Sequence, residues 1–330
     1  MTFGELALDA AEGAILAHSL KLASGTVSKG TVLGADHLQR LKEAGIESVI
    51  AARLEPGDVP EDDAAGRIAS RLVAPGLNLA KAFTGRANLV AGRSGIVMVN
   101  AGAVHAMNQV DEGITLATLP DMMRVHQGQL VATIKVIPYA VAAAQVDTAV
   151  EVLGAGALRL APFRPGRVQL ILTRLPGFKE RLLEKGKVVV EDRVCALGLE
   201  LADVAVVAHR TEEIARALDP EMDLILILGA SATSDRADVA PAAVSAAGGA
   251  IQRFGMPVDP GNLLFLADLK GASVVGLPGC ARSPAMNGVD WVLERLAAGV
   301  PVDGEAIAAM GVGGLLKEMP GRPQPRQPKR

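Results

Sequence analysis

Four short runs in the second half of the chain, 168–173, 204–208, 224–228 and 273–277, are apolar at successive positions rather than at alternate ones. A strand with one wet face alternates polar and apolar residues, so these runs suit strands covered on both faces, as in a parallel sheet between two helical layers. Segments with helical spacing, 194–202 and 211–217, lie between the runs. That alternation predicts a doubly wound, three-layer α/β domain whose ligand loops gather at the carboxyl ends of the strands.

A chain of 330 residues is long enough for two cores. The glycine- and proline-containing stretch 154–166 is the natural boundary. This gives a mixed α+β domain over 1–160, the α/β domain over 161–318 and a disordered tail over 319–330, where Pro, Arg, Lys and Gln leave little to bury. Half of the residues are hydrophobic and only 2% aromatic, so Ala, Val, Leu and Ile must fill both cores. With so few rings and a net charge of -3, base stacking and phosphate attraction are both lacking, which argues against nucleic acid as a partner. Cys195 and Cys280 form no C-x-x-C pair. The start has no basic region ahead of an apolar stretch, and no run is long enough to span a bilayer. A soluble, cytoplasmic protein is the expectation.

In the first domain, residues 22–32 read as strand, turn, strand around Ser24-Gly25. Asp36 is the expected cap of a helix that Gly45 ends. Strands are expected at 48–52, 96–99, 114–119 and 131–136. The acids Glu61, Asp62 and Asp63 suit the positive first turn of a helix to Leu72, and 141–153 reads as another helix.

The segment with the most chemistry is the buried run 224–228 followed by Gly229-Ala230-Ser231-Ala232-Thr233-Ser234-Asp235-Arg236-Ala237-Asp238. Small hydroxylated residues lead there onto a helix start, where unpaired N–H groups and the helix dipole favour an anion. Asp238 is a candidate N-cap closed by Gly248-Gly249. Asp235 or Asp238 is alternatively a partner for ligand N–H donors, or for Mg²⁺ bridging to phosphate. A second loop, Leu277-Pro278-Gly279-Cys280-Ala281-Arg282-Ser283-Pro284, again follows a buried run, with Ser283 and Pro284 as the expected N-cap and first residue of a helix ending before Gly299. Two such loops can wall one crevice.

Together these segments resemble the molybdopterin-binding domain of molybdenum-cofactor biosynthesis proteins. Residues 229–243 are similar to its glycine-rich loop and helix, Asp238-Val239-Ala240-Pro241 to an Asp-Val-Thr-Pro segment, and Leu277-Pro278-Gly279 to a Leu-Pro-Gly-Asn/Gln-Pro motif. The chain looks most like a divergent relative of the molybdopterin molybdenumtransferases. The resemblance implies a fold of the molybdopterin-binding type and a pocket for molybdopterin or its nucleotide lined by Gly229, Ala230, Ser231, Thr233, Ser234, Asp235, Asp238, Pro278 and Gly279. It also implies an oligomer, and a nucleotidyltransferase or molybdoenzyme as partner. A catalytic member would insert molybdate with Mg²⁺, with Asp235 and Asp238 as candidate catalytic or metal-binding groups.

The departures are Ala230 at the family's second glycine, Cys280 after Leu-Pro-Gly, and Thr173-Arg174-Leu175-Pro176 at the first-strand turn. They favour, as the alternative, a non-catalytic carrier or sensor of molybdopterin. Thr84-Gly85-Arg86-Ala87-Asn88 offers an arginine for phosphate. A serine hydrolase would pair Ser231 with His209, but Thr233 stands where the elbow motif closes on glycine. Neither a G-x-G-x-x-G after a strand nor a P-loop motif occurs.

Overall fold

The computed structural model describes residues 1–318, and the expected tail 319–330 lies outside them. The chain forms two compact units, Met1–Leu160 and the remainder from Ala161.

The first unit begins with an antiparallel sheet ordered Thr2–Ala7, Ser48–Arg53, Ile15–Leu16, and a hairpin of Leu20–Leu22 with Gly25–Val27. The second hairpin strand stops at Val27, short of the expected 32. The Ala35–Glu43 helix is capped by Gly34, whose N–H donates to His37 Nδ1 at 3.2 Å, and not by Asp36, which lies in the first turn. Asp36 belongs one position past the Ala35 start, so its carboxylate serves the helix dipole instead. A four-stranded antiparallel sheet follows, ordered Ile114–Thr118, Leu130–Val136, Arg86–Ala91, Leu77–Leu79. The Glu61–Arg71 helix lays Ala64, Ala65, Ile68 and Ala69 into the shared core, a stripe at helical spacing, with its three acids in the first turn. The helix read at 141–153 starts at Ala143, because Val141 and Ala142 pair as a strand with Val59 and Asp58.

In the second unit one six-stranded sheet is ordered Glu200–Ala208, Arg167–Arg174, Leu224–Leu228, Ala272–Leu277, Phe265–Leu269, Ala250–Phe254. The first four strands are parallel, and Phe265–Leu269 runs antiparallel to both of its neighbours, Ala272–Leu277 and Ala250–Phe254; the last two strands are not among those expected. Successive residues of the central strands enter different cores. Leu170, Leu172, Leu224, Leu226 and Val275 pack with Leu183, Val190 and Val194 of the Glu180–Cys195 helix and Val289 and Val292 of the Gly288–Ala297 helix. Ile171, Ile225, Ile227 and Val274 pack with Ile214 of Thr211–Ala217 and Ala243 and Val244 of Val239–Ala246. The unit is therefore a three-layer α/β structure, and its continuous apolar runs are explained by two cores rather than one.

Two helix starts differ from expectation. No helix covers 194–202. The helix is Glu180–Cys195, and Gly198 at φ 76° turns the chain into the strand beginning at Glu200. Lys179 caps it with no side-chain bond, so the usual local start signal is missing. Nor is Ser283 a helix cap: it closes the Gly279–Arg282 turn, and Asn287 caps Gly288–Ala297, its Oδ1 accepting from Val289 N–H at 2.9 Å while its N–H donates to Asp290 at 2.7 Å. No helix among the described residues is long and apolar enough to cross a membrane.

Candidate functional site

The carboxyl ends of three neighbouring parallel strands meet through one buried hydroxyl. Thr173, fully buried at the end of Arg167–Arg174, accepts Ala230 N–H at 2.7 Å and pairs with His209 Nδ1 at 2.8 Å. Ala230 follows Leu224–Leu228 and His209 follows Glu200–Ala208, so the hydroxyl fixes the start of the small-residue loop against two other strands. A buried hydroxyl left alone would be costly, which makes this a positional constraint as well as a bond.

Across the loop, Arg282 Nη2 donates to Gly229 O at 2.6 Å. That single contact joins the two segments singled out in the sequence. Gly229 is tight, since a Cβ there would stand 3.0 Å from Ser231 O. Arg282 is half-buried, burial pushes its guanidinium pKa down, and it makes no ion pair among the described residues. A desolvated cation whose charge meets only a carbonyl is suited to an incoming anion.

The aspartates organise the loop. Asp238 Oδ2 accepts the N–H and hydroxyl of Ser234 at 3.0 and 3.4 Å, and its Oδ1 accepts Val239 N–H at 2.7 Å as the helix N-cap. The Ser234 N–H is the largest cause of the lowered Asp238 pKa. Asp235 Oδ1 accepts Ala237 N–H at 2.7 Å, and Asp238 N–H donates to Asp235 O at 3.1 Å. Both Asp238 oxygens accept from donors of their own loop, Asp235 has a hydrogen bond on Oδ1 alone, and among the described residues no group of three or more ligating side chains is placed to hold a metal, so Mg²⁺ held here would need ligand oxygens and water beside a single carboxylate. Ser231 and Ser234 are exposed, Thr233 is half-buried, Pro278 is buried and Gly279 is exposed.

The second loop is held from behind by Arg193. Its Nε meets Asp290 at 2.8 Å, its Nη1 donates to Ala281 O at 2.7 Å, and its Nη2 donates to Ser283 O and Ala285 O at 2.6 and 3.1 Å. This fork keeps 281–285 off the helix, which is why the Ser-Pro dipeptide does not start one. Burial raises the pKa of the half-buried Cys280 thiol. For the hydrolase arrangement, Ser231 Oγ has Ala232 O as its partner at 3.5 Å and His209 Nδ1 pairs with Thr173, and no hydrogen bond joins Ser231 to His209 among the described residues. Arg86 is exposed at the start of a strand in the first unit. Arg193, Arg282 and the Thr173–His209 pair were not among the expected site residues. An arginine just beyond Leu-Pro-Gly was the one local signal available.

Burial lowers the His209 pKa, opposed by the charge of Asp238. The unfolded chain therefore binds this proton more readily than the folded one. Stability should fall as pH drops below about 6.5, the ordinary histidine value, and flatten once below the depressed folded value. Urea unfolding between neutral and mildly acidic pH should show this decline in the wild type and a shallower one in His209→Gln. Parallel curves would refute it. The Asp238 contribution is lost only as pH falls through its own lowered value, in a more acidic window.

A family model described as a domain of unknown function, DUF8806, matches residues 5–53. A search of curated protein sequences gives no match. Among solved structures, the molybdopterin biosynthesis MoeA protein from Pyrococcus horikosii is similar over 72% of this chain and 80% of its own, at 16% identity and TM-score 0.32. The molybdopterin biosynthesis enzyme MoaB from Thermus is similar over 44% of this chain and 97% of its own, at 19% identity and TM-score 0.30. A molybdenum cofactor biosynthesis protein from Pyrococcus furiosus is similar over 91% of this chain and 66% of its own, at 12% identity and TM-score 0.23.

Proposed function

We propose that the second unit binds molybdopterin or a molybdopterin nucleotide at the 229–238 loop, in the service of molybdenum-cofactor biosynthesis. The observation that carries this reading is the bond from Arg282 to Gly229 O, which sets the Leu277-Pro278-Gly279 segment beside the small-residue loop at the carboxyl edge of a parallel sheet. Both stretches that resemble the family then face one ligand. Arg282 and the hydroxyls of Ser231 and Thr233 supply donors for its phosphate, and the exposed Asp235 carboxylate suits N–H donors on the pterin edge.

Between carrier and molybdenumtransferase, the occupied oxygens of Asp238 favour the carrier. Turnover with molybdate and Mg²⁺ would reverse that choice without touching the binding site. The direct test is calorimetric titration with molybdopterin. The wild type should bind with micromolar affinity, Ser231→Ala about tenfold more weakly, and Arg282→Met on the order of 100-fold more weakly, as expected for loss of a charge-assisted contact. A folded wild type that gives no heat with molybdopterin would end the proposal.

A further inference from the structure

Far from these loops in sequence, the first unit contains a cavity of about 560 Å³, within the usual range for small-molecule sites. Its walls include Phe3, Lys29, Glu61, Lys135, Ile137 and Tyr139. Phe3 and Ile137 are 58% and 61% exposed, so large apolar surface is left open on a walled cleft rather than scattered singly. Lys135 Nζ donates to Thr84 O at 2.6 Å and stands 3.7 Å from Glu61 Oε2. Lys29 Nζ lies 6.0 Å from the Tyr139 ring centroid and has no ion pair among the described residues. The Tyr139 hydroxyl is anchored at 3.4 Å from Leu16 O and Ala17 O.

The backbone at this edge is shaped around the charges. Thr84 has φ 50° and Gly85 φ 68°, and a Cβ on Gly85 would stand 2.5 Å from Glu61 Oε2 and 2.9 Å from Lys135 Nζ. Left-handed backbone at a threonine is costly and tends to be kept where a site needs it. Burial is the largest cause of the raised Glu61 pKa, even with Lys135 beside it. The amine of Met1, also on the wall, is engaged by Asp58 at 2.7 Å and by Glu55 at 3.8 Å. Of the two lysines on the wall, Lys135 is engaged with Glu61 and Lys29 has no ion pair among the described residues, which leaves Lys29 as the ammonium open to a ligand.

We propose that this cleft binds a small organic monocarboxylate with an apolar body, its carboxylate on Lys29 and its body against Phe3, Ile137 and Tyr139. A monoanion suits the one available ammonium, whereas a dianion would place excess charge beside Glu61, on which Asp62 already acts. The proposal is independent of the molybdopterin reading.

Tyr139 is the only tyrosine of the chain, so tyrosine difference absorption reports on this cleft alone. The full chain would be titrated with cyclohexanecarboxylate, with its neutral amide and with inorganic phosphate, following heat and the tyrosine signal. The acid should saturate and shift the tyrosine band. The amide, and the acid with Lys29→Met, should each bind about fivefold more weakly, the upper worth of one exposed ion pair. Lys29 is exposed, so its substitution spares the core, and Tyr139→Phe should abolish the absorbance change while keeping the heat. Failure of the acid to saturate would overturn the proposal. So would equal binding of acid and amide, binding of phosphate alone, or an unchanged affinity in Lys29→Met.

Discussion

Replacing Gly276 by alanine should destabilise the second unit by roughly 3 kcal/mol, the upper end for one added methyl in a packed core. A Cβ at this position would lie 1.9, 2.1 and 2.6 Å from three atoms of the Phe265 ring. Phe265 is fully buried and faces Gly276 across the antiparallel pair, so the ring lies over the glycine and has no room to move away. The check is a urea midpoint that falls with an unchanged slope. Phe265→Leu removes the obstacle while opening a small cavity, so the double variant should be more stable than the two single effects summed. Gly276→Ala unfolding at the wild-type midpoint would refute the packing account. Because the strand containing Gly276 leads directly into Leu277-Pro278-Gly279, this glycine also fixes where the second loop emerges.

Arg193→Met should cost about 3–5 kcal/mol, the range for removing one partner of a buried ion pair. Only 9% of the Arg193 side chain and 17% of the Asp290 side chain are exposed, and the methionine would leave Asp290 Oδ1 and three carbonyl oxygens without the arginine donor. Arg193→Lys keeps the charge but loses the planar fork, and should recover only a small part of the loss. In the fraction that remains folded, the proposed binding of molybdopterin should weaken by about tenfold or more, because the loop presenting Arg282 loses its hold. Thermal and urea unfolding give the first number and calorimetry the second. A variant as stable as the wild type would show the fork to be dispensable, and unchanged binding would separate the second loop from the ligand.

These expectations rest on residues whose roles the sequence exposed unequally. Leu224–Leu228 was legible because five buried positions in a row leave no polar face, and the hydroxylated segment after it could only be a loop onto a helix. Asp238 was legible as a cap because its partners, Ser234 and Val239, are at most four positions away. The Glu180–Cys195 helix was misplaced because its start carries no side-chain cap, and its seat on the sheet depends on Gly186, where a Cβ would stand 2.9 Å from Leu228 Cδ2. Ser283-Pro284 misled because a local helix signal was overruled by Arg193, about 90 positions earlier.

The sequence by itself determined the class of the second unit, its central strands and the two loops at their carboxyl ends, since apolar runs and small-residue breaks act over a few neighbouring residues. The tertiary structure decided what those loops can do. Thr173 reaches Ala230 across 57 positions, Arg282 reaches Gly229 across 53, and Arg193 reaches Asp290 across 97. A hydrogen bond between distant residues leaves no period or spacing in the chain, because its partners are brought together only when the sheet assembles and the desolvated groups must find each other.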